Sequence, residues 1–381
     1  MKKTLLLVGL LMVSVTVSAQ FYYKSGKNVD MIHPQLSLPE TRCEIILPQI
    51  DGYTLYKADL HTHTIFSDGN CTARYRAAEA WRDGLDVMAV TEHIEYRPNE
   101  KTFLKYMNAK KGPKKEGVYT RSDLNMPVQE AQKYARNYGL VIIPGVEITR
   151  NPIEIGHYNA LFTTDNNAIY DKDPLQAMRN ARAQGALVMH NHPGWRRTSL
   201  EMPEVEKQAY EAGLIDGVES MNGREFYPKA VTRAVERHLF VAACTDIHNS
   251  TAADYHERGG FHRNMTFILA KDKSLESLKE ALSAGRTIAY SYGTLAGEEE
   301  LMKKFFLAAV KITPISPTSV ILTNHTSVAF YIIGETGQFV KLSPFSSIQW
   351  KHGKEAKQLT FELPNVWVQG EKNLTVSVNI K

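Results

Sequence analysis

Between residues 56 and 291 the chain alternates short apolar runs with amphipathic ones, and the apolar runs keep finishing in histidine or acid. The stretch 59–69, DLHTHTIFSDG, sets the pattern: an apolar approach runs into His61 and His63, then into Asp68 beside a glycine. Alternate side chains of an extended segment point the same way, so His61 and His63 address one point in space. That is a metal-ligand geometry, and it asks for a fold that gathers distant strand ends.

The pattern repeats along the chain. A helix expected over 72–83, closed by Gly84, leads to a strand at 87–91 that runs into Glu92 and His93. Residues 97–125 are polar and read as a surface insertion. A helix over 128–138, stopped by Gly139, precedes a strand at 140–143 that continues to Glu147. Too few residues separate Glu147 from His157 for a helical crossover, which takes a dozen or more. Pro152 and Gly156 indicate a turn instead, so residues 157–162 are expected as an antiparallel excursion that returns His157 toward Glu147. Asp173-Pro174 caps a helix to Gln184, with aspartate at N-cap and proline at N1. The acidic loop 165–173 lacks the central glycine and terminal glutamate of a calcium-binding EF-hand and reads as solvated. A strand at 186–189 enters His190-Asn191-His192-Pro193-Gly194-Trp195. Further strands at 217–220 and 240–245, the latter ending in Asp246 and His248, follow helices at 204–212 and 229–238. Strands at 265–270 and 287–291 flank a last helix, 274–284. Repeated strand–helix units of this kind imply an α/β fold, a parallel β/α barrel over 51–297.

At 381 residues the chain is long enough for two folded units or a barrel with an appendage. Past Gly297 a short helix near 298–308 gives way to β-branched and aromatic runs separated by glycine turns, which read as a small all-β sandwich-like domain over 298–381. His325 and His352 there have no histidine or acidic neighbours and read as exposed polar residues; Trp350 and Trp367 read as core. Residues 1–19, with Lys2 and Lys3 before an apolar run and Val17-Ser18-Ala19 before a break, read as a signal peptide. The run is too short for a spanning helix. No cysteine follows the break, which argues against a lipid anchor. The chain is therefore expected to be exported, periplasmic or extracellular, with no transmembrane anchor after cleavage. Residues 20–50 read as an N-terminal arm on the main domain. Without Lys2 and Lys3, 43 cations face 41 anions. That near-neutral balance argues against stable nucleic-acid binding over a broad basic surface, but leaves room for a small phosphorylated substrate. Cys43, Cys71 and Cys244 are too few for a disulfide framework. Cys71 and Cys244 read as small buried residues.

Five strand ends carry groups that bind hard or borderline metals: His61/His63/Asp68, His93, Glu147, His192 and Asp246/His248. His157 adds a contribution from the excursion. In a β/α barrel the loops after the strands share one face, so these residues can converge. A structural zinc site closes at about four ligands. Nine candidates suggest two or three ions with open positions, and such ligands suit zinc, manganese or iron.

The order H-x-H, S-D-G, T-E-H, G-V-E, a lone histidine opening an apolar stretch, H-P-G and D-x-H resembles the polymerase and histidinol phosphatase, or PHP, superfamily, over residues 56 to about 290. The T-E-H-I-E-Y-R-P run at 91–98, the N-H-P-G-W run and the trailing β domain resemble exported two-domain PHP phosphoesterases of gut-type bacteria. The resemblance implies a distorted seven-stranded β/α barrel with a trinuclear site. It places His61, His63 and Asp246 on one ion, Glu147 bridging it to a second held by His157 and His192, and Asp68, His93 and His248 on the third. Two departures stand out: Glu92 occupies a position the family usually fills with aspartate, and His190 is an extra histidine. In a strand His190 and His192 would share a side, so either is a candidate ligand, with Pro193-Gly194 favouring His192.

The expected activity is a metal-dependent hydrolase acting on phosphate esters, with diesters placed ahead of monoesters. Paired divalent ions neutralise phosphate oxygens and deprotonate a bridging water near neutral pH, giving a hydroxide for in-line displacement at the Glu147-bridged pair. The third ion would then take the phosphoryl oxygen or the leaving group. Arg224 is either a phosphate clamp or a surface arginine. In the loop 254–263, His256, Arg258 and His262 either cap the pocket, His256 then protonating the leaving group, or belong to ordinary surface. Hydrolysis of another bond type, and a non-catalytic metal- or glycan-binding surface protein, are the competing readings.

Overall fold

In the computed structural model of the chain, the described residues are 22–24, 28–34, 41–102, 122–149, 155–255, 262–353 and 355–380. They fall into two compact units, Met1–Thr41 and Arg42–Lys381. In the first, β1 (Tyr22–Lys24) pairs antiparallel with β2 (Ile32–Pro34). Residues 1–19, expected to be a signal peptide, lie outside the described residues, and no described helix is long and apolar enough to cross a membrane. The arm expected over 20–50 is divided, because residues from Arg42 onward pack with the second unit: Arg42 donates to Asp86 Oδ1 at 2.7 Å, and Ile45 and Ile50 enter its core.

In that second unit β3 (Thr54–Asp59), β4 (Val87–Val90) and β5 (Val141–Thr149) lie parallel, with Ala58 opposite Val87 and Met88 opposite Ile142. All four residues of β4 are buried, as a strand covered on both faces requires. The helix Ala73–Arg82 starts where the Thr72 side chain accepts from Tyr75 N and stops before Gly84, whose φ of +93° suits a residue without Cβ. β6 (His157–Leu161) runs antiparallel to β5, with His157 opposite Thr149 and Asn159 opposite Glu147. The excursion therefore returns His157 to the neighbourhood of Glu147. β7 (Leu187–His190) is antiparallel to β6; β8 (Gly217–Asn222) is parallel to β7 and hairpins into β9 (Glu225–Phe226); β10 (Phe240–Cys244) is parallel to β8.

The sheet then departs from a wholly parallel barrel. β11 (Met265–Ala270) runs antiparallel to β3, and β12 (Thr287–Ser291) antiparallel to β11. Among the described residues between β10 and β11 the helix is a single turn, Thr251–Asp254, too short for a crossover. The seam against β10 is closed by side chains rather than a backbone ladder. Thr266 Oγ1 accepts from Ala243 N and donates to Ala243 O, both at 3.0 Å, and Thr287 Oγ1 accepts from Val241 N at 3.0 Å.

β13 (Thr294–Gly297) leads through the helix Glu299–Ala309 into β14 (Val310–Ser316), β15 (Ser319–Asn324), β16 (Phe330–Gly334), β17 (Phe339–Leu342), β18 (Ser347–Lys351), β19 (Gln358–Val368) and β20 (Lys372–Asn379). β14, β15 and β18 form one antiparallel sheet, and β17, β16, β19 and β20 face it, Trp350 meeting Phe361 edge-on at 5.4 Å. Trp350 is thus buried core. The second layer continues the barrel sheet, because β13 pairs parallel with β19 at Leu295–Val366 and Ala296–Trp367. Asn365 fastens this junction: its amide donates to Gly293 O and Ala329 O and accepts from Tyr331 N. Phe305, from the helix, lies 6.4 Å from Phe267 of the barrel and 6.1 Å from Phe330 of the sandwich, so one core spans both.

Candidate metal centre

The two histidines of the 59–69 stretch stand beyond the end of β3 and are fixed by the chain on either side. His63 N donates to Ile247 O at 3.1 Å, and the buried Asp59 carboxylate accepts from His61 N and Thr245 N, both at 3.2 Å. Both rings are fully buried, and their Nε2 atoms lie 3.2 and 3.1 Å from Asp246 Oδ1. Asp246 has φ of +52° and His192 φ of +21°, backbone conformations uncommon for such residues and concentrated at functional sites.

Glu147 sits in the middle of the row with its two oxygens aimed at different partners. Oε2 lies 2.5 Å from His93 Nδ1, 3.6 Å from His63 Nε2 and 3.7 Å from His61 Nε2. Oε1 lies 3.3 Å from His157 Nδ1 and 3.9 Å from His192 Nε2. At the other end Asp68 Oδ1 lies 3.3 Å from His93 Nε2 and 3.2 Å from His248 Nε2. The donors gather as His61/His63/Asp246, Glu147/His157/His192 and His63/Asp68/His93/His248, with a further group of His61, His192 and Glu219. All nine residues expected from the sequence are therefore drawn into one constellation.

The donor set fits divalent ions on an observation of its own. His61 Nε2, His63 Nε2, Asp68 Oδ1 and Glu147 Oε2 are buried and make no hydrogen bond of good geometry among the described residues, which is costly for polar atoms unless an ion or another partner takes them. Electrostatics agree. Burial works to raise Glu147 and Asp246, but the surrounding imidazoles hold both well below the usual carboxylate range. Burial and the neighbouring His93 push His63 down to about 4, and burial pushes His192 down to about 3. Against its own burial, His93 is raised to about 10 by Glu147 and Asp68.

Several residues that hold the ligands were not singled out in the sequence. Glu219, fully buried on β8, lies 3.3 and 3.4 Å from His61 Nδ1 through its two oxygens, and its Oε2 accepts from His192 N at 2.7 Å. With its Nδ1 edge engaged there, His61 presents Nε2 to Asp246, so we read Glu219 as orienting a ligand rather than as one. Thr149 Oγ1 meets His93 Nδ1 at 2.5 Å, and Asn191 Nδ2 donates to Glu147 Oε1 at 3.0 Å. Arg76, fully buried in the helix Ala73–Arg82, donates to His63 O, Ile247 O and His248 O, gripping both ligand segments from behind.

Glu92, where the family usually has aspartate, accepts through its carboxylate from Thr64 N at 3.2 Å and from the hydroxyls of Thr64 and Ser67, so its longer arm braces the turn that carries Asp68. His190 does not share a side with His192, and of the two candidates it is His192, the one Pro193-Gly194 favoured, that joins the donor groups. β7 ends at His190, so the alternation that would put it beside His192 stops. Its Nδ1 pairs with Tyr210 OH at 2.9 Å and its Nε2 lies 3.3 Å from Glu206, outside the donor groups.

A cavity of about 390 Å³ opens over the centre, lined by Asp68, His93, Glu147, His157, His192, Asp246 and His248 with Tyr96, Thr149, Trp195 and Arg196. Arg224 is not in that lining; it is exposed, and its guanidinium donates to Asp254 O at 3.4 Å. Arg196 stands at the cavity instead, its guanidinium 4.3 Å from the Trp195 ring centre. His256 and Arg258 lie outside the described residues. His262 lines a separate cavity with Cys43 and Tyr255.

A β/α sheet closed on itself, with buried histidines and acids gathered at one face on and just beyond its strands, defines a metal-dependent hydrolase. The chain belongs to the PHP domain family, whose model matches residues 59–256. It is similar, at 32% identity and a TM-score of 0.78, to the crystal structure of a two-domain protein from Bacteroides vulgatus containing a predicted PHP-like metal-dependent phosphoesterase; 89% of this chain and 99% of that one are covered. Two further structures are more distant. An amidohydrolase from Chromobacterium violaceum shares 13% identity at a TM-score of 0.35, covering 52% of this chain and 90% of that one. A lesion-specific endonuclease from Pyrococcus furiosus shares 16% at 0.38, covering 68% and 62%. No curated protein sequence matches the chain. The fold and site thus place it among PHP-like metal-dependent phosphoesterases.

Proposed function

We propose that the chain is an exported phosphoesterase that holds two or three ions of zinc, manganese or iron and cleaves small phosphate diesters ahead of monoesters. The observation that carries this reading is the Glu147 carboxylate, with one oxygen toward His61 and His63 and the other toward His157 and His192. A carboxylate so placed can serve two ions at once. His61, His63 and Asp246 would hold the first, Glu147, His157 and His192 the second, and Asp68, His93 and His248 the third. When bound, such ions supply Lewis acidity, neutralising phosphoryl oxygens and lowering the pKa of water enough for in-line attack near neutral pH.

The chain's own residues do the rest. Arg196 offers a guanidinium at the cavity wall, suited to pair with phosphate oxygens, the role weighed for Arg224 against that of a surface arginine. Glu219, Asn191 and Thr149 hold the ligand rings and carboxylate in place, which matters because small displacements of catalytic groups are expensive in rate. A cavity of about 390 Å³ suits a small molecule, and the near-neutral charge after signal removal does not favour stable nucleic-acid binding. Export rests on Lys2, Lys3 and the apolar run that follows them.

The test is an assay of monoester and diester hydrolysis side by side, with metal content measured on the same samples. Chelator-sensitive activity that disappears in His61→Ala and Glu147→Ala is expected. Activity unchanged in either variant would sink the mechanism.

A further inference from the structure

The histidine rings of the centre form a row. Centroid separations are 5.1 Å from His157 to His192, 5.7 Å from His192 to His61, 5.1 Å from His61 to His63 and 4.4 Å from His63 to His93. Each end of the row carries an aromatic side chain that ligates nothing. Trp195 stands 5.6 Å from His157 and 5.3 Å from His192, whereas Tyr96 stands 6.0 Å from His93. Both line the cavity.

We infer that Tyr96 and Trp195 are two walls that receive the two organic substituents of a phosphodiester, and that the site selects diesters whose substituents are planar, such as nucleoside bases or aryl groups. The inference rests on the phosphoesterase reading above. A phosphoryl group held at the middle of the row, over Glu147 and Asp246, sends one substituent toward each end. A monoester leaves one wall unused. Stacking on an aromatic face takes any planar group, because each has a π-face, whereas an alkyl or polyol arm gains less.

The walls differ in how they are held. Trp195 is set by a tight turn: its N–H donates to His192 O at 3.0 Å, and Gly194 packs so closely that a Cβ there would meet the Tyr227 ring at 2.3 Å. Arg196 lies on the Trp195 ring, adding a cation beside the stacking face. Tyr96 is 55% exposed, a large aromatic left on the surface at the cavity rim.

The experiment compares methyl para-nitrophenyl phosphate with phenyl para-nitrophenyl phosphate, which share a leaving group, so the ratio of kcat/KM reads the second substituent. Calorimetric binding of diphenylphosphinate and dimethylphosphinate, whose two P–C bonds leave no ester to cleave, gives the same comparison without turnover. In the native metal-loaded protein the phenyl compounds should be favoured by about ten-fold or more, and Trp195→Ala or Tyr96→Ala should cut that preference by at least about five-fold. Trp195→Phe and Tyr96→Phe should keep it. Metal content is measured on every variant, and if Trp195→Ala loses metal, the more exposed Tyr96→Ala carries the decision. No phenyl preference in the native protein, or a preference intact in every alanine variant that keeps its metal, overturns the inference. Absence of chelator-sensitive hydrolysis of both esters sinks the phosphoesterase reading instead, and the phosphinate binding then still decides whether the walls select planar groups.

Discussion

Glu219 lies against the Nδ1 edge of His61, 3.3 and 3.4 Å away through its two oxygens, and thereby turns the opposite edge of that ring toward Asp246. Outer partners of this kind typically contribute about ten- to hundred-fold in metal affinity. Glu219→Gln should therefore weaken metal binding by roughly that factor while leaving the fold intact, as measured by competition with a chelator of known affinity. Affinity equal to the native value would show that Glu219 is incidental.

Asp68 serves the end of the row away from His61, with His63 Nδ1 3.9 Å from its Oδ1. Its Oδ1 faces His93 and His248 at 3.3 and 3.2 Å. Asp68→Ala should remove one equivalent of metal and leave the Glu147-bridged pair loaded. Elemental analysis of the purified variant decides this, and loss of all metal would contradict the division.

Arg76 is the buried cation behind the centre, donating to the carbonyls of His63, Ile247 and His248 and paired with Glu79 at 2.5 Å. Removing it strands a buried carboxylate, a change that typically costs about 3–5 kcal/mol. Arg76→Ala should lower the denaturation midpoint accordingly, and Arg76→Lys should recover only part of the loss, because an ammonium cannot reach all these acceptors in fork geometry. A midpoint within error of native would remove Arg76 from the account.

The chelator-stripped protein should show a stability maximum near the ordinary histidine value of about 6.5. His93, raised to about 10, contributes stability that is complete below about 6.5 and is lost as pH rises toward 10. His63 and His192, lowered to about 4 and 3, act oppositely: unfolding takes up protons there, so stability falls as pH drops from 6.5 toward those values. Glu147 and Asp246, both depressed, lose their contribution on the same acid side. Urea midpoints across this range test it; a profile rising steadily from pH 6.5 to 10 would be the wrong sign.

Gly334 is packed against Trp350 so closely that a Cβ would meet ring atom Cζ2 at 2.3 Å. Gly334→Ala should cost about 1–3 kcal/mol through overpacking, read as a lower melting temperature. Because Trp350 is core of the sandwich and far along the chain from every ligand, metal content of the folded protein should stay at the native level.

What the sequence disclosed and what it hid follow from reach. His61, His63, His93, His192, Asp246 and His248 follow strand ends, His157 opens a strand and Glu147 stands two residues from the end of one, so a residue type and a nearby strand boundary together marked each one. Glu219 lies mid-strand in G-V-E-S-M-N, and Arg76 and Glu79 lie on the same helix face as Ala73, Ala77 and Ala80. A charge on an otherwise small or apolar face was the available signal for all three. The antiparallel return of β11 and its threonine-closed seam leave no such mark, since hydroxyls on a strand read equally well as surface. β14 was concealed by Pro314 and by the helix that runs directly into it. The shared side expected for His190 and His192 assumed that β7 continued past His190, where it ends.

The central claim is that hydrolysis depends on ions held about Glu147, and its most direct test is the rate of phosphodiester cleavage by chelator-stripped protein as manganese or zinc is added back in known equivalents. Negligible activity at zero equivalents, a rise to a plateau at two or three, and no recovery at any loading in Glu147→Ala are expected. Full activity in the stripped protein, or recovery in Glu147→Ala equal to native, would contradict it.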